Sequence, residues 1–339
     1  MYAHVPIPQS MAMIVSQNAC DAFDRYVDGR MTAHNSYNFQ MVKRTDYDVK
    51  SVGFMSDINT FYAVSDNDFR IIQINEDFSD TLDISEKHFQ NQINSISQNK
   101  TAKEIFLVSN GTELSVLNAN KLTVDNIPIA PLKMSIAWTD DTKFLTYDLS
   151  GSLKLYDVGK FECISTSNMI PGEGKVFPHP TEPYAIVTGM NLQLVDFRCP
   201  GRVASIPIQG GIGALSWMPN DKSGIIIGYE NGSIDLFSLA DQKAIVTQQI
   251  SYCPISAVEF CRSKPGTALI ASDTDIVFAN LRSWGYGRLT VTRTHQGHIG
   301  CIRDAHWYDG DELKVISCDN RRIINVFQMP DSYLPIYQE

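Results

Sequence analysis

From Val49 onward, apolar and polar residues alternate in short runs that are separated by turn-forming pairs, and the runs recur at a near-constant spacing. Strict alternation is the mark of a half-buried β-strand. In Ser233-Ile234-Asp235-Leu236-Phe237, for example, Ile234 and Leu236 share one face. Other runs, such as 224–228, are apolar throughout, which suits strands buried on both faces. The residues that end the first strand of each unit are Phe54, Ser97, Trp138, Phe177, Trp217, Phe260 and Trp307, and successive differences are 43, 41, 39, 40, 43 and 47. A second series, marking the end of the third strand, keeps step with it: Ile74, Leu117, Tyr156, Val195, Phe237, Ala279 and Phe327.

Between the second and third strands fall Asp66-Asn67, Asn110-Gly111, Ser150-Gly151, 189–191, Asn231-Gly232, Asp273-Thr274 and Asp319-Asn320, residue types that tolerate the positive φ of a tight hairpin. Outer strands are expected at 81–84, 122–126, 163–166, 203–206, 245–249 and 289–293. No long helix is predicted. A three- or four-stranded unit cannot bury both faces alone, so seven copies in register imply an all-β fold in which the copies cover one another, a seven-bladed β-propeller. Residues 38–329 form the repeating part, with the run 38–44 placed to complete the last blade and remove a free edge. Residues 1–37 fit the repeat poorly and are expected to be a partly irregular extension, and 330–339 an apolar tail. An eight-bladed arrangement, using residues 10–45 as a further blade, is the structural alternative.

Charge narrows the function classes. Lys plus Arg is 28 against 38 for Asp plus Glu, a net charge of −10, which argues against nucleic-acid or anionic-membrane binding and mildly favours basic partners. The seven cysteines, Cys20, Cys163, Cys199, Cys253, Cys261, Cys301 and Cys318, are scattered and form no Cys-x-x-Cys pair. That is the usage of reduced thiols in cytoplasm or nucleus. No apolar run approaches membrane-spanning length, and the N-terminus lacks the pattern of a signal peptide.

The clearest copy is 294–328. It opens with Gly297-His298, carries Ser317 and Asp319 beside its second turn, and closes its third strand on Phe327-Gln328. This layout resembles the WD-repeat family, whose blades have a Gly-His opening and a Trp-Asp close. The resemblance implies that His298, Ser317 and Asp319 form a buried structural hydrogen-bond network. The same three residue types also spell a hydrolase triad, but no nucleophile-elbow pattern surrounds Ser317 and it sits inside a strand. Phosphate loops, dinucleotide fingerprints and His-Glu-x-x-His are missing from the sequence, and His295, His298 and His306 have no partner at metal-ligand spacing. No catalytic residue, cofactor or metal is therefore expected.

Candidate partner-binding residues lie where the copies differ. Trp284 and Tyr286 fall in a connection, 281–288, between a third strand and its outer strand. Arg321 and Arg322 follow the last turn. Val195-Asp196-Phe197-Arg198 resembles the Trp-Asp-x-Arg signature of cullin-4 ubiquitin-ligase substrate receptors, a resemblance that implies an adaptor contact for Arg198; Ala279-Asn280-Leu281-Arg282 is a poorer second copy. Over residues 175–330, Arg198-Cys199-Pro200 and Ile302-Arg303-Asp304-Ala305-His306-Trp307 resemble the WD-repeat subunits of methylosomes. Those subunits partner a protein arginine methyltransferase and help present basic substrates such as histones and spliceosomal Sm proteins. The expected role is a non-catalytic interaction scaffold or adaptor, with a ligase receptor and a propeller-based hydrolase as alternatives.

Overall fold

A computed structural model describes residues 39–75, 81–127, 134–189, 191–201, 203–208, 210–219, 221–264, 266–280, 290–295, 298–308, 310 and 313–328. Every helix or strand among the described residues is a strand. The strands form seven antiparallel sheets of four, each ordered along the chain from an inner to an outer strand except in blade 7. In that blade the outer strand is Phe39–Arg44, which pairs with Ile323–Gln328 in a register running from Arg44↔Ile323 to Phe39↔Phe327. Because this strand belongs to blade 7, it is not part of an eighth blade, and the ring is seven-bladed. The proposed extension 1–37 and tail 330–339 lie outside the described residues.

Burial along each strand follows from its place in a blade. Second strands such as Gly224–Tyr229, Thr267–Ser272 and Lys314–Asp319 are buried at every position, because a neighbouring blade covers each face. Outer strands are not so covered: Glu162–Asn168 and Lys243–Gln249 are mostly exposed. The core is accordingly divided into seven apolar clusters, one at each contact between consecutive blades. The cluster joining Phe61, Ile72 and Val52 of blade 1 to Ile316, Ile324 and Val326 of blade 7 closes the ring. On the outside, Lys43 Nζ on the closing strand reaches Asp83 of blade 1 at 2.7 Å.

Three tryptophans perform one task. At the ends of the inner strands Met134–Trp138, Ile212–Trp217 and Ile302–Trp307, each indole N–H donates to a carbonyl near the end of the inner strand in the preceding blade. Trp138 Nε1 bonds Ser97 O at 3.0 Å, Trp217 Nε1 bonds Phe177 O at 3.1 Å, and Trp307 Nε1 bonds Glu259 O at 3.1 Å. An indole supplies both apolar area and one donor, so it spans the blade contact without leaving that carbonyl unpaired. Replacing Trp217 with Phe keeps most of the ring packing against Tyr184 and His179 and removes the bond. Its denaturant midpoint is expected to report a loss of about 1 kcal/mol.

The hairpin turns show one departure from expectation. In blades 3 and 5 the left-handed residue is Gly151 (φ 83°) or Gly232 (φ 81°), where an added Cβ would meet the Met169 or Ser251 carbonyl. Blade 7 places Arg322 there instead (φ 68°), so its turn runs through 320–322 rather than through Asp319-Asn320. Asp319 ends the strand, and its Oδ1 accepts from Arg321 N at 2.8 Å and Ile323 N at 2.9 Å, which holds the non-glycine turn in shape.

Candidate functional site

Antiparallel blades sort their connections onto two faces. Turns between second and third strands share one end of the ring with the crossings from each outer strand to the next inner strand; this end is called the upper face. The remaining turns form the lower face. Inner strands line a central channel of about 980 Å³, and its lining residues, among them Lys50, Ile93, Met134, Gly172, Gly210 and Arg303, belong to the upper end. The channel therefore opens on the upper face.

Its wall carries acids and cations on both sides, Asp304 standing beside Arg303 and Lys175 beside Glu173. On the side of blades 3 to 5 stand Asp148, Glu173 and Glu230, the last two exposed, while Asp148 Oδ1 accepts from Ser150 N at 2.9 Å and Ser152 N at 3.1 Å in its own turn. Across the mouth, the cations are held by the protein itself. Lys50 pairs with Asp66, and Arg303 Nη1 bonds Asp48 Oδ2 at 2.8 Å and Val49 O at 3.1 Å. Lys175 Nζ, on the acidic side, reaches Gly213 O at 3.4 Å. Around the mouth the upper connections expose Leu149, Ile170, Tyr252 and Ile299, with Tyr252 96% exposed. Large apolar groups left in water on a surface otherwise built from polar turns are the apolar contact points this face offers. The arrangement offers apolar anchors and carboxylates, which is equipment for non-covalent recognition.

His298, Ser317 and Asp319 do come together, in the hydrogen-bond order of a hydrolase triad. His298 Nε2 lies 2.8 Å from Ser317 Oγ, and His298 Nδ1 lies 3.1 Å from Asp319 Oδ2. Yet Ser317 and Asp319 are 0% exposed and His298 is 1% exposed, so no substrate carbonyl can reach the hydroxyl. Asp319 Oδ2 also accepts from Gly300 N at 3.2 Å. Burial opposes ionisation of this carboxyl, but the bond and charge of His298 together with the Ile323 and Arg321 amides outweigh it and hold the acid below its ordinary range. The trio pins the crossing into blade 7 against the blade's hairpin, which is a structural task.

The other sequence candidates are scattered. Arg198 lies on the lower face, and its guanidinium grips its own neighbour: Nε contacts Asp196 Oδ1 at 2.9 Å and Nη2 contacts Oδ2 at 2.5 Å. Arg321 and Arg322 sit on the upper face. Arg322 Nη1 bonds Asp46 O at 3.2 Å, and its carbonyl accepts from Thr45 N, so it serves ring closure. Trp284 and Tyr286 lie outside the described residues. Of the clustered histidines, His306 bridges Glu259 Oε2 and Asp304 Oδ1, both at 3.0 Å, while His298 serves the network above. Sequence reasoning missed the upper apolar residues; the available signal was a large apolar side chain inside an otherwise polar connection, as at Tyr252.

No family model and no curated protein matches the sequence. Solved structures do resemble it. The structure of U3-55K superposes with a TM-score of 0.69 at 9% identity, covering 85% of this chain and 98% of that one. The crystal structure of the RRP9 WD40 repeats gives 0.70 at 9% identity, covering 85% and 97%. At such identity the likeness speaks for architecture, and the blade count, strand order and ring closure agree with it: the chain has the fold of a seven-bladed WD40-repeat β-propeller.

Proposed function

We propose that this chain is a protein-interaction scaffold whose upper face, around the channel mouth, receives a partner segment. The observation that carries the reading is the coincidence on one face of Leu149, Ile170, Tyr252 and Ile299, all exposed, with the carboxylates of Asp148, Glu173 and Glu230. Apolar anchors supply affinity and the carboxylates choose a basic segment over an acidic one. A net charge of −10 favours the same partners over long range. Within this reading the chain serves a cytoplasmic or nuclear complex, where it presents basic substrates such as histones to a protein arginine methyltransferase.

Affinity capture of the full chain, with bound proteins identified by mass spectrometry, tests it. A Tyr252→Ala, Ile299→Ser double variant is expected to lose the captured partners by tenfold or so, a loss of about 1.4 kcal/mol. Arg198→Ala, on the opposite face, is expected to keep them. An unchanged partner set in the double variant defeats the upper-face reading. Loss of a cullin adaptor in Arg198→Ala alone would favour the ligase-receptor alternative, which the 68% exposed Arg198 side chain on the lower face supports.

A further inference from the structure

On the lower face, the turns between inner and second strands close in one way in blades 1, 2, 3 and 5. A side-chain oxygen accepts from the backbone N–H two residues on, and in blades 2 and 5 from the one three residues on as well. Asp57 Oδ1 accepts from Asn59 N at 2.9 Å, Asn99 Oδ1 from Thr101 N and Ala102 N at 3.0 Å, Asp140 Oδ1 from Thr142 N at 2.8 Å, and Asp221 Oδ1 from Ser223 N at 2.8 Å and Gly224 N at 3.1 Å. Short side chains of this kind take up turn amides that no strand partner reaches. Blade 4 closes its turn alike but with an imidazole: His179 Nδ1 accepts from Thr181 N at 3.1 Å and Glu182 N at 2.9 Å.

That acceptor can be switched off by one proton. Pro180 and Pro183 have no N–H, so between His179 and Tyr184 the turn has two amide donors, and both rest on Nδ1. An asparagine accepts at every pH and an aspartate until strongly acid solution, but a histidine nitrogen accepts only while unprotonated. The ring is 6% exposed and packs against Tyr184 and Trp217, its centroid 4.7 Å from each. The acids around it are engaged elsewhere. Glu182, in the same turn, pairs with Lys222 of blade 5 at 2.5 Å; Asp221 holds its own turn; and Asp196, on the next lower turn of blade 4, is gripped by Arg198. Burial is the largest influence and disfavours the charged ring, Lys100 and Lys222 add to it, and Glu182 with the Asp221 backbone opposes it without prevailing. The imidazole is therefore neutral at neutral pH, with a pKa below its ordinary value.

The turn carries more than its own residues. Pro183 O accepts from Phe197 N at 2.8 Å, which ties it to the turn of Asp196 and Arg198, and Tyr184 Oη donates to Lys222 O of blade 5. We propose that His179 is an acid-sensitive latch on the lower face: a proton on Nδ1 removes the acceptor of the Thr181 and Glu182 amides and releases the blade 4 turn, together with the rim that presents Arg198. Once protonated, Nδ1 sets an N–H against two N–H groups, so the ring and the turn must part. The open turn, with a histidine near its ordinary value of about 6.5, takes the proton first. The latch is thus fully closed above that value and is lost as pH falls toward the lower value of the closed state.

Amide hydrogen exchange of the full chain, read by mass spectrometry at about pH 7 and about pH 5 and corrected for the intrinsic pH dependence of exchange, tests the latch. In wild type the segment 179–184 is expected to lose about tenfold or more of its protection on acidification, because a pH roughly one and a half units below the open-state value favours the protonated, open turn by that order. Residues 196–198 are expected to follow, while the Asn99 turn of blade 2 keeps its protection. His179→Asn, which supplies the acceptor that blade 2 uses, is expected to hold the blade 4 turn equally at both pH values. Unchanged protection of 179–184 in wild type overturns the proposal, as does an equal loss in the Asn99 turn or in His179→Asn. The comparison of the two wild-type turns decides the matter even where the variant does not fold.

Discussion

Replacing Asp319 with Ala is expected to lower the unfolding free energy by about 3–4 kcal/mol, among the larger effects of any single substitution in this chain. The carboxylate is 0% exposed and accepts from four donors: His298 Nδ1, Gly300 N, Arg321 N and Ile323 N. Alanine leaves all four facing a void, and the turn with Arg322 at positive φ loses what holds it. Asp319→Asn keeps the shape but presents an amide N–H where an acceptor is needed, so a smaller loss, about 2 kcal/mol, is expected. The acid end of the stability profile reports the same group. Its folded pKa is depressed, so its contribution is present above the unfolded carboxylate value and is lost as pH falls through the folded one. Urea unfolding of wild type and both variants measures this, and a loss under about 1 kcal/mol in Asp319→Ala would sink the network argument.

The blades were legible because their cause is periodic. A strand that must be buried on both faces, a hairpin that must admit positive φ and an aromatic at a strand end recur every time the same unit is built, so Trp138, Trp217 and Trp307 marked the register before any coordinates did. Their indole bonds were not legible, because the acceptors at Ser97, Phe177 and Glu259 become neighbours only when blades stack. The site was hidden for a related reason. Leu149, Ile170, Tyr252 and Ile299 lie in four connections spread over 150 residues, and only the ring brings them to one face. Histidines were the misleading case: His295, His298 and His306 cluster in the chain, yet the hydrogen bonds of His298 stay within blade 7 while His306 joins that blade to blade 6.

His306→Ala is expected to cost about 2–3 kcal/mol and to remove the alkaline arm of the stability profile. Its Nδ1 meets Glu259 Oε2 of blade 6 and its Nε2 meets Asp304 Oδ1, both at 3.0 Å. The other oxygen of Asp304 accepts from Ser51 Oγ at 2.7 Å and Val52 N at 3.3 Å in blade 1. One imidazolium thus joins three consecutive blades across the closure of the ring. Without it, two carboxylates face each other with no cation between them. The side chain is 38% exposed, so solvent screens the repulsion and the cost stays below that of breaking a fully buried pair. Burial works against the charged ring, but the fields of Asp304 and Glu259 and their hydrogen bonds prevail and raise its pKa well above the ordinary value. The folded protein therefore binds this proton more tightly than the unfolded chain. Its contribution is complete below the unfolded histidine value of about 6.5 and is lost as pH rises through the folded one. Urea unfolding from about pH 6 to pH 9 should show wild-type stability falling with pH while His306→Ala stays flatter. Parallel profiles would show that the bridge carries no charge, and the three-blade clasp would then be no more than a neutral hydrogen bond.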